Sequence, residues 1–143
     1  LATDIRIATA DCQFAIMEAK WGLVADMGLT RSAMGVLRAD IVKELAMTAR
    51  IFDGQQAFDY GVVSHLSDTP MEVAKNLVAE LSSRSPDAVL ASKRITNAMY
   101  HTPATTLYQE KLWQIKLLLG QNRKLAVKKA KDETVKFIGR QFN

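Results

Sequence analysis

One cysteine and two histidines are all the thiol and imidazole in this 143-residue chain. Cys12 alone cannot close an internal disulfide, which fits a reducing compartment, and the cytoplasm is the expectation. His65, His101 and Cys12 have no metal-ligand spacing, so no zinc site is expected. Ser64, His65 and Asp68 are neighbours in sequence, whereas a catalytic triad draws its members from separate elements. Gly22, Gly28 and Gly35 do not form a phosphate loop. No apolar run approaches the length of a membrane span, and there is no repeat or low-complexity tract. The few aromatics, among them Trp21, Tyr108, Trp113 and Phe137, read as core or interface residues. They are not interleaved with basic side chains as a nucleic-acid platform requires.

What is present describes a globular domain: 48% hydrophobic residues, 24% charged, and length enough for a real core. The net charge of +4 is unevenly spread. From Gly120 onward seven Lys/Arg face two Asp/Glu, so the basic character belongs to the tail. Such a tail suits nucleic acid, a membrane surface or the phosphates of a nucleotide-bearing ligand, and equally a solvated helix face.

Residues 4–9 and 13–17 read as strands, with Asp11 and Cys12 in the turn between them. A helix is expected over 27–36 with Asp26 as its N-cap, and a second over 40–49 with Ile41, Leu45 and Thr48 on one side. Ile51-Phe52 is a brief extended step, Asp53 caps a short helix that stops at Gly61, and 62–66 is the last strand. Beyond Asp68 the pattern is helical. Thr69-Pro70 starts a helix with Val73, Leu77, Val78 and Leu81 on one face. Ser85-Pro86-Asp87 starts another, with Ala91, Ile95, Ala98 and Met99 inward. Thr102-Pro103 opens a third, with Tyr108, Leu112, Ile115 and Leu119 as its stripe and Gly120 as its end. Asn122 caps a final lysine-rich helix carrying Leu125, Ala126, Ala130, Phe137 and Ile138. The chain thus divides into a mixed α/β part, 1–67, and a helical part, 68–143. Two or three short strands do not make a stable sheet alone, so they are expected to pair with a larger one.

The stretch FAIMEAKWGLVADMGLT, residues 14–30, places two carboxylates, Glu18 and Asp26, among mostly apolar residues. Desolvation penalises a charged carboxylate, and an acid or base working near neutral pH needs such a setting. Gly22 interrupts any helix between the two, so they converge only across a turn. Glu18 also reads as a surface residue pairing with Lys20, and Asp26 as a plain helix cap.

The same stretch carries a family resemblance. MEAKWGLVADMGLT resembles the crotonase (enoyl-CoA hydratase/isomerase) pattern E-x-K-x-G-L-x-P-D-x-G-G-T. LATDIRIAT is similar to the strand that precedes it in that family. ELAMTARIFDGQQAFDYGVVSHL resembles E-L-x-x-T-G-R-x-F-x-A-x-E-A-x-x-x-G-L-V, and SPDAVLASKRITN and LLLGQNRKLAV resemble the family's C-terminal helices. Three positions depart from the pattern: Ala25 stands for proline, Leu29 for glycine, and Ala49 for the glycine of T-G-R.

The resemblance implies an α/β fold: the C-terminal half of a crotonase-type ββα-superhelix, followed by a helical oligomerisation region that assembles a homotrimer or a hexamer. It implies an acyl-CoA substrate, with coenzyme A as part of that substrate and no separate cofactor, metal, nucleic acid or membrane. Glu18 takes the acid/base position beside the thioester, and Asp26 that of a second proton shuttle. Lys124, Lys128, Lys129 and Lys131, with Phe137, fall where coenzyme A would be bound. The family's N-terminal half, with its oxyanion donors and other acidic position, would lie ahead of Leu1, so the sequence is expected to be a fragment with part of an active site. A non-catalytic helical assembly module is the alternative.

Overall fold

The structure, a computed structural model, describes residues 1–101 and 103–142, with the side chains of His101 and Pro103 left aside. Two compact units follow one another, Leu1–Asn76 and Leu77–Asn143.

The first unit is built on two small strand pairs. Strand β1 (Ile7–Ala8) runs parallel to β4 (His65–Leu66), and β2 (Gln13–Ala15) runs antiparallel to β3 (Ile51–Asp53) with Phe14 opposite Phe52. Both strands of the first pair are shorter than the sequence suggests. Val62 and Val63, expected in the strand, donate their N–H groups to the Ala57 carbonyl and so close the preceding helix instead. At the other end, the Thr9 carbonyl turns the chain by accepting from Cys12 N–H.

Three helices complete this unit: α1 (Leu29–Ala33), α2 (Ala39–Thr48) and α3 (Gly54–Asp59). Asp53 caps helix α3 as its sequence suggests, and the structure adds the reciprocal bond of a capping box: Asp53 accepts from Gln56 N–H and Gln56 accepts from Asp53 N–H. Its first residue, Gly54, lies so close to the preceding turn that a Cβ there would stand 2.0 Å from the Thr9 carbonyl oxygen. Helix α1 is much shorter than the expected 27–36, and Asp26 is not its cap. Gly28, with φ of 81°, holds the N-cap position and its carbonyl accepts from Ser32 N–H. Helix α2 ends on Ala49 in the left-handed region at φ of 49°, the position where the crotonase pattern has glycine.

The core of the unit joins Ala8, Leu45, Phe52, Ala57 and Val63, with Phe14 stacked on Phe52 at 5.7 Å. Ile41 packs against this cluster, but Thr48 is exposed and bonds the Glu44 carbonyl of its own helix. Burying the Leu45 side chain alone stabilises by about 1.5–3 kcal/mol.

The second unit is helical. Helix α4 (Pro70–Ser82) enters it and buries none of its side chains fully; Val78 and Leu81, expected inward, are exposed. Helices α5 (Pro86–His101), α6 (Thr106–Leu119) and α7 (Gln121–Lys129) follow. The expected start of α6 at Thr102 lies outside the described residues; a 3-10 turn over Pro103–Thr105 precedes it. On α5, Ala91 is buried as expected, whereas Met99 is half exposed. On α6 the expected stripe is largely turned outward, with Tyr108, Ile115 and Leu119 at 67%, 50% and 78% exposure, and the buried side chain is Trp113. This helix is apolar on two faces, so spacing alone does not choose the inner one.

Asn122 is not a cap either. It sits in the first turn of α7, only 1% exposed, and joins a buried polar clasp. Its side-chain N–H group donates to Asp87 at 2.8 Å and to the Ile138 and Gly139 carbonyls, while its oxygen accepts from Ile138 N–H. Asp87 in turn accepts from the N–H groups of Gln141 and Phe142. Residues 138–142 are therefore fastened to the starts of α5 and α7. Phe137 and Ile138, expected on the last helix, lie in this non-helical tail.

Candidate active site

A cavity of about 630 Å³ opens in the first unit, lined mostly by apolar side chains that include Phe14, Ile16, Leu45 and Phe52. Glu18 stands on its wall. Strand β2 delivers the chain to this wall, and Glu18 opens the 3-10 turn over Glu18–Trp21 that follows it. Gly22 ends that turn in the left-handed region at φ of 71°, with the Glu18 carbonyl accepting from Leu23 N–H at 3.0 Å. The expected break at Gly22 is thus what lets residues 23–29 fold back along the cavity, where Ala25, Met27 and Leu29 join the lining.

Glu18 is half-buried, and among the described residues its carboxylate forms neither a hydrogen bond nor an ion pair. The alternative pairing with Lys20 is not made: the Lys20 ammonium lies over the Trp21 ring at 5.7 Å from its centre. A carboxylate on an apolar wall with no fixed partner keeps its lone pairs available to a ligand.

Asp26 behaves differently. It lies between two cavity residues, Ala25 and Met27, yet its own side chain is exposed rather than set among apolar groups. Leu29, which replaces the pattern's glycine, is the first helical residue of α1 and needs no unusual backbone; the left-handed position is Gly28.

Arg6 was not among the sequence candidates and also lines the cavity. Its guanidinium donates to the carbonyls of Thr3, Gly61 and Val62, which ties the segment before β1 to the turn after α3. Its only sequence signal is a cation inside a β-branched run. Ser64 accepts from Arg6 N–H at 3.3 Å and His65 is exposed, so neither belongs to a triad.

The tail candidates lie in the second unit. Lys124 and Lys128 are one turn apart on α7 and exposed, Lys131 follows the helix and is exposed, and the Lys129 ammonium lies 5.1 Å from the centre of the half-buried Phe137 ring. Among the described residues no group of three or more His, Cys, Asp or Glu is placed to hold a metal ion. None of the helices there is long and apolar enough to cross a membrane.

The resemblance stated for the sequence extends to known proteins. The chain is 34% identical over 136 residues to the mitochondrial Δ(3,5)-Δ(2,4)-dienoyl-CoA isomerase of Pongo abelii, covering 90% of this chain and 41% of that protein. It is 32% identical over 111 residues to the carnitinyl-CoA dehydratase of Citrobacter koseri, covering 76% of this chain and 42% of that one. Among solved structures, the enoyl-CoA hydratase of Mycobacterium tuberculosis H37Rv superposes with a TM-score of 0.85 at 26% identity, covering 97% of this chain and 57% of the other. The chain therefore spans well under two thirds of the length of these relatives. Residues 1–131 match the enoyl-CoA hydratase/isomerase family, to which this chain belongs.

Proposed function

We propose that this chain supplies the acid/base wall of an acyl-CoA site, with Glu18 as the group that moves the proton. The observation that carries this reading is the half-buried, unpartnered Glu18 carboxylate on the rim of an apolar cavity. A thioester carbonyl acidifies the neighbouring carbon. Glu18 removes that proton, the electron pair of the broken C–H bond delocalises toward the thioester oxygen, and the proton returns at a conjugated carbon. The double bond moves and nothing is gained or lost. In the hydratase variant, the same carboxylate takes a proton from the water whose oxygen bonds to the β-carbon, the π electrons shift toward the thioester, and a proton is returned to the α-carbon. The identity to a dienoyl-CoA isomerase supports the isomerase form.

The rest of the reading follows the crotonase resemblance. The oxyanion donors and a second acidic position belong to segments outside this chain, which on its own does not turn over enoyl-CoA. The chain is the C-terminal portion of the fold, and its helical region assembles a trimer or a dimer of trimers; the outward apolar face of α6 supports this. Lys124, Lys128 and Lys131, with Phe137, meet coenzyme A. Asp26, exposed beside the cavity and released from capping, is the second shuttle. We place the protein in the cytoplasm, and cell fractionation distinguishes this from the mitochondrial location in the isomerases' names.

The test is Glu18→Gln in the full-length protein. The amide keeps the shape and loses the titrating group, so kcat falls about a hundred- to ten-thousandfold while acyl-CoA binding changes little. Asp26→Asn separates the carboxylates: a shuttle loses rate with stability intact. Near-normal turnover by properly folded Glu18→Gln removes the assignment, and normal assembly with no turnover by the wild type on any enoyl-CoA favours the assembly module.

A further inference from the structure

A second cavity, of about 400 Å³, lies between α5 and α6 in the helical unit, apart from the lysine-rich tail. Its floor is Trp113, only 5% exposed. Two cations converge on that ring: the Arg94 guanidinium at 5.2 Å from the ring centre and the Lys116 ammonium at 4.6 Å. The two charges are thus no farther apart than those distances together. The amides of Asn97 and Gln109 also line the cleft.

Two like charges on one ring repel each other, and a carboxylate between them would offset that repulsion. None is there. The ion pairs among the described residues are Arg38–Asp40 and Arg50–Glu44, both in the other unit. Asp87, the acid in the first turn of α5, is committed to the buried clasp. The ring's negative face attracts each cation and offsets part of the repulsion. Among the described residues, no hydrogen bond or ion pair occupies the N–H groups of either side chain.

From this we infer that the α5–α6 cleft is a binding site for a phosphoryl group, held by Arg94 and Lys116 over Trp113 with Gln109 and Asn97 as neutral donors. The donor set decides the ligand class. A carboxylate brings one charge and two oxygens, which leaves one cation unneutralised. A phosphate monoester brings nearly two charges and three terminal oxygens, enough for a guanidinium fork, an ammonium and an amide together. Inorganic phosphate and a phosphate monoester share this chemistry. Ala98 and Leu112 on the cleft wall favour the monoester, whose organic part they can cover.

Trp113 is a built-in reporter, because Trp21→Phe leaves it as the single tryptophan. The full chain carrying that change is titrated at constant ionic strength with inorganic phosphate, with glycerol phosphate and with acetate. Saturable change in Trp113 fluorescence is expected with both phosphates, and weaker or none with acetate. Glycerol phosphate binding more tightly identifies the monoester as the source, and equal binding identifies the free anion. Arg94→Gln or Lys116→Gln raises the dissociation constant about tenfold or more. Gln109→Glu, which leaves both cation–π contacts in place, does the same by adding a negative charge, so the site remains testable if either cation variant misfolds. No saturable response through the millimolar range, an equal response to acetate, or unchanged binding in Gln109→Glu overturns the proposal.

Discussion

The two units of this chain hold themselves together by different means. The first, Leu1–Asn76, is organised by apolar packing: Leu45, Phe52, Ala57 and Val63 are almost wholly enclosed, and aromatic rings stack across the β2–β3 pair. In the second, Leu77–Asn143, the buried apolar side chains among the described residues are Ala91 and Trp113, while Asp87 and Asn122 are each 1% exposed. An apolar core tolerates a cavity with one carboxylate on its wall, which is a reactive setting. A polar clasp fixes chain ends through directional bonds that lose their value unless every partner is present. The first arrangement leaves an open cavity, and the second fixes chain ends.

The largest effect expected from breaking this contrast is at Leu45. Leu45→Ala removes a fully enclosed side chain at the centre of the first unit and costs about 2–5 kcal/mol. Amide hydrogen exchange reads it as lost protection in residues 1–76, with the clasp around Asn122 retaining its own. Next comes Asp87→Ala, which leaves Asn122 and the N–H groups of Gln141 and Phe142 without their acceptor. It costs about 2–3 kcal/mol, and exchange quickens at residues 138–142 before it does in the first unit. If loss of Asp87 changes neither, the second unit is held by packing and the contrast fails.

A smaller, opposite effect is expected at Ala49. A left-handed backbone costs an L-residue about 1–2 kcal/mol, and glycine's extra freedom in the unfolded chain returns part of that. Ala49→Gly therefore raises stability by up to about 1 kcal/mol, measured as a higher urea midpoint with unchanged slope.

Local chemistry was legible in the sequence where its partners are also local. Asp53 was readable as a cap, and its partner Gln56 is only three residues away. Gly22 was readable as a stop for the same reason. Asn122 defeated the local rule because its partners are 35 and 16 residues away, at Asp87 and Ile138. Asp26 failed as a cap because Gly28, able to take the left-handed conformation, starts the helix two residues later. The α6 stripe had the right spacing and the wrong face, since periodicity measures regularity and not which neighbour a face meets. At the candidate site, Glu18, which lies on the cavity wall, was singled out by its setting and the family pattern together. Arg6 was not, because its carbonyl partners at Gly61 and Val62 come from the far end of the unit.

The central claim is that Glu18 moves a proton at a carbon beside a thioester, and solvent exchange tests it most directly. The full-length protein is incubated with an enoyl-CoA in deuterium oxide, and deuterium entering carbon positions of recovered substrate is followed by mass spectrometry. Wild type should incorporate deuterium, and Glu18→Gln should do so about a hundred- to ten-thousandfold more slowly while still binding the thioester. Incorporation at the wild-type rate by folded Glu18→Gln would contradict the account.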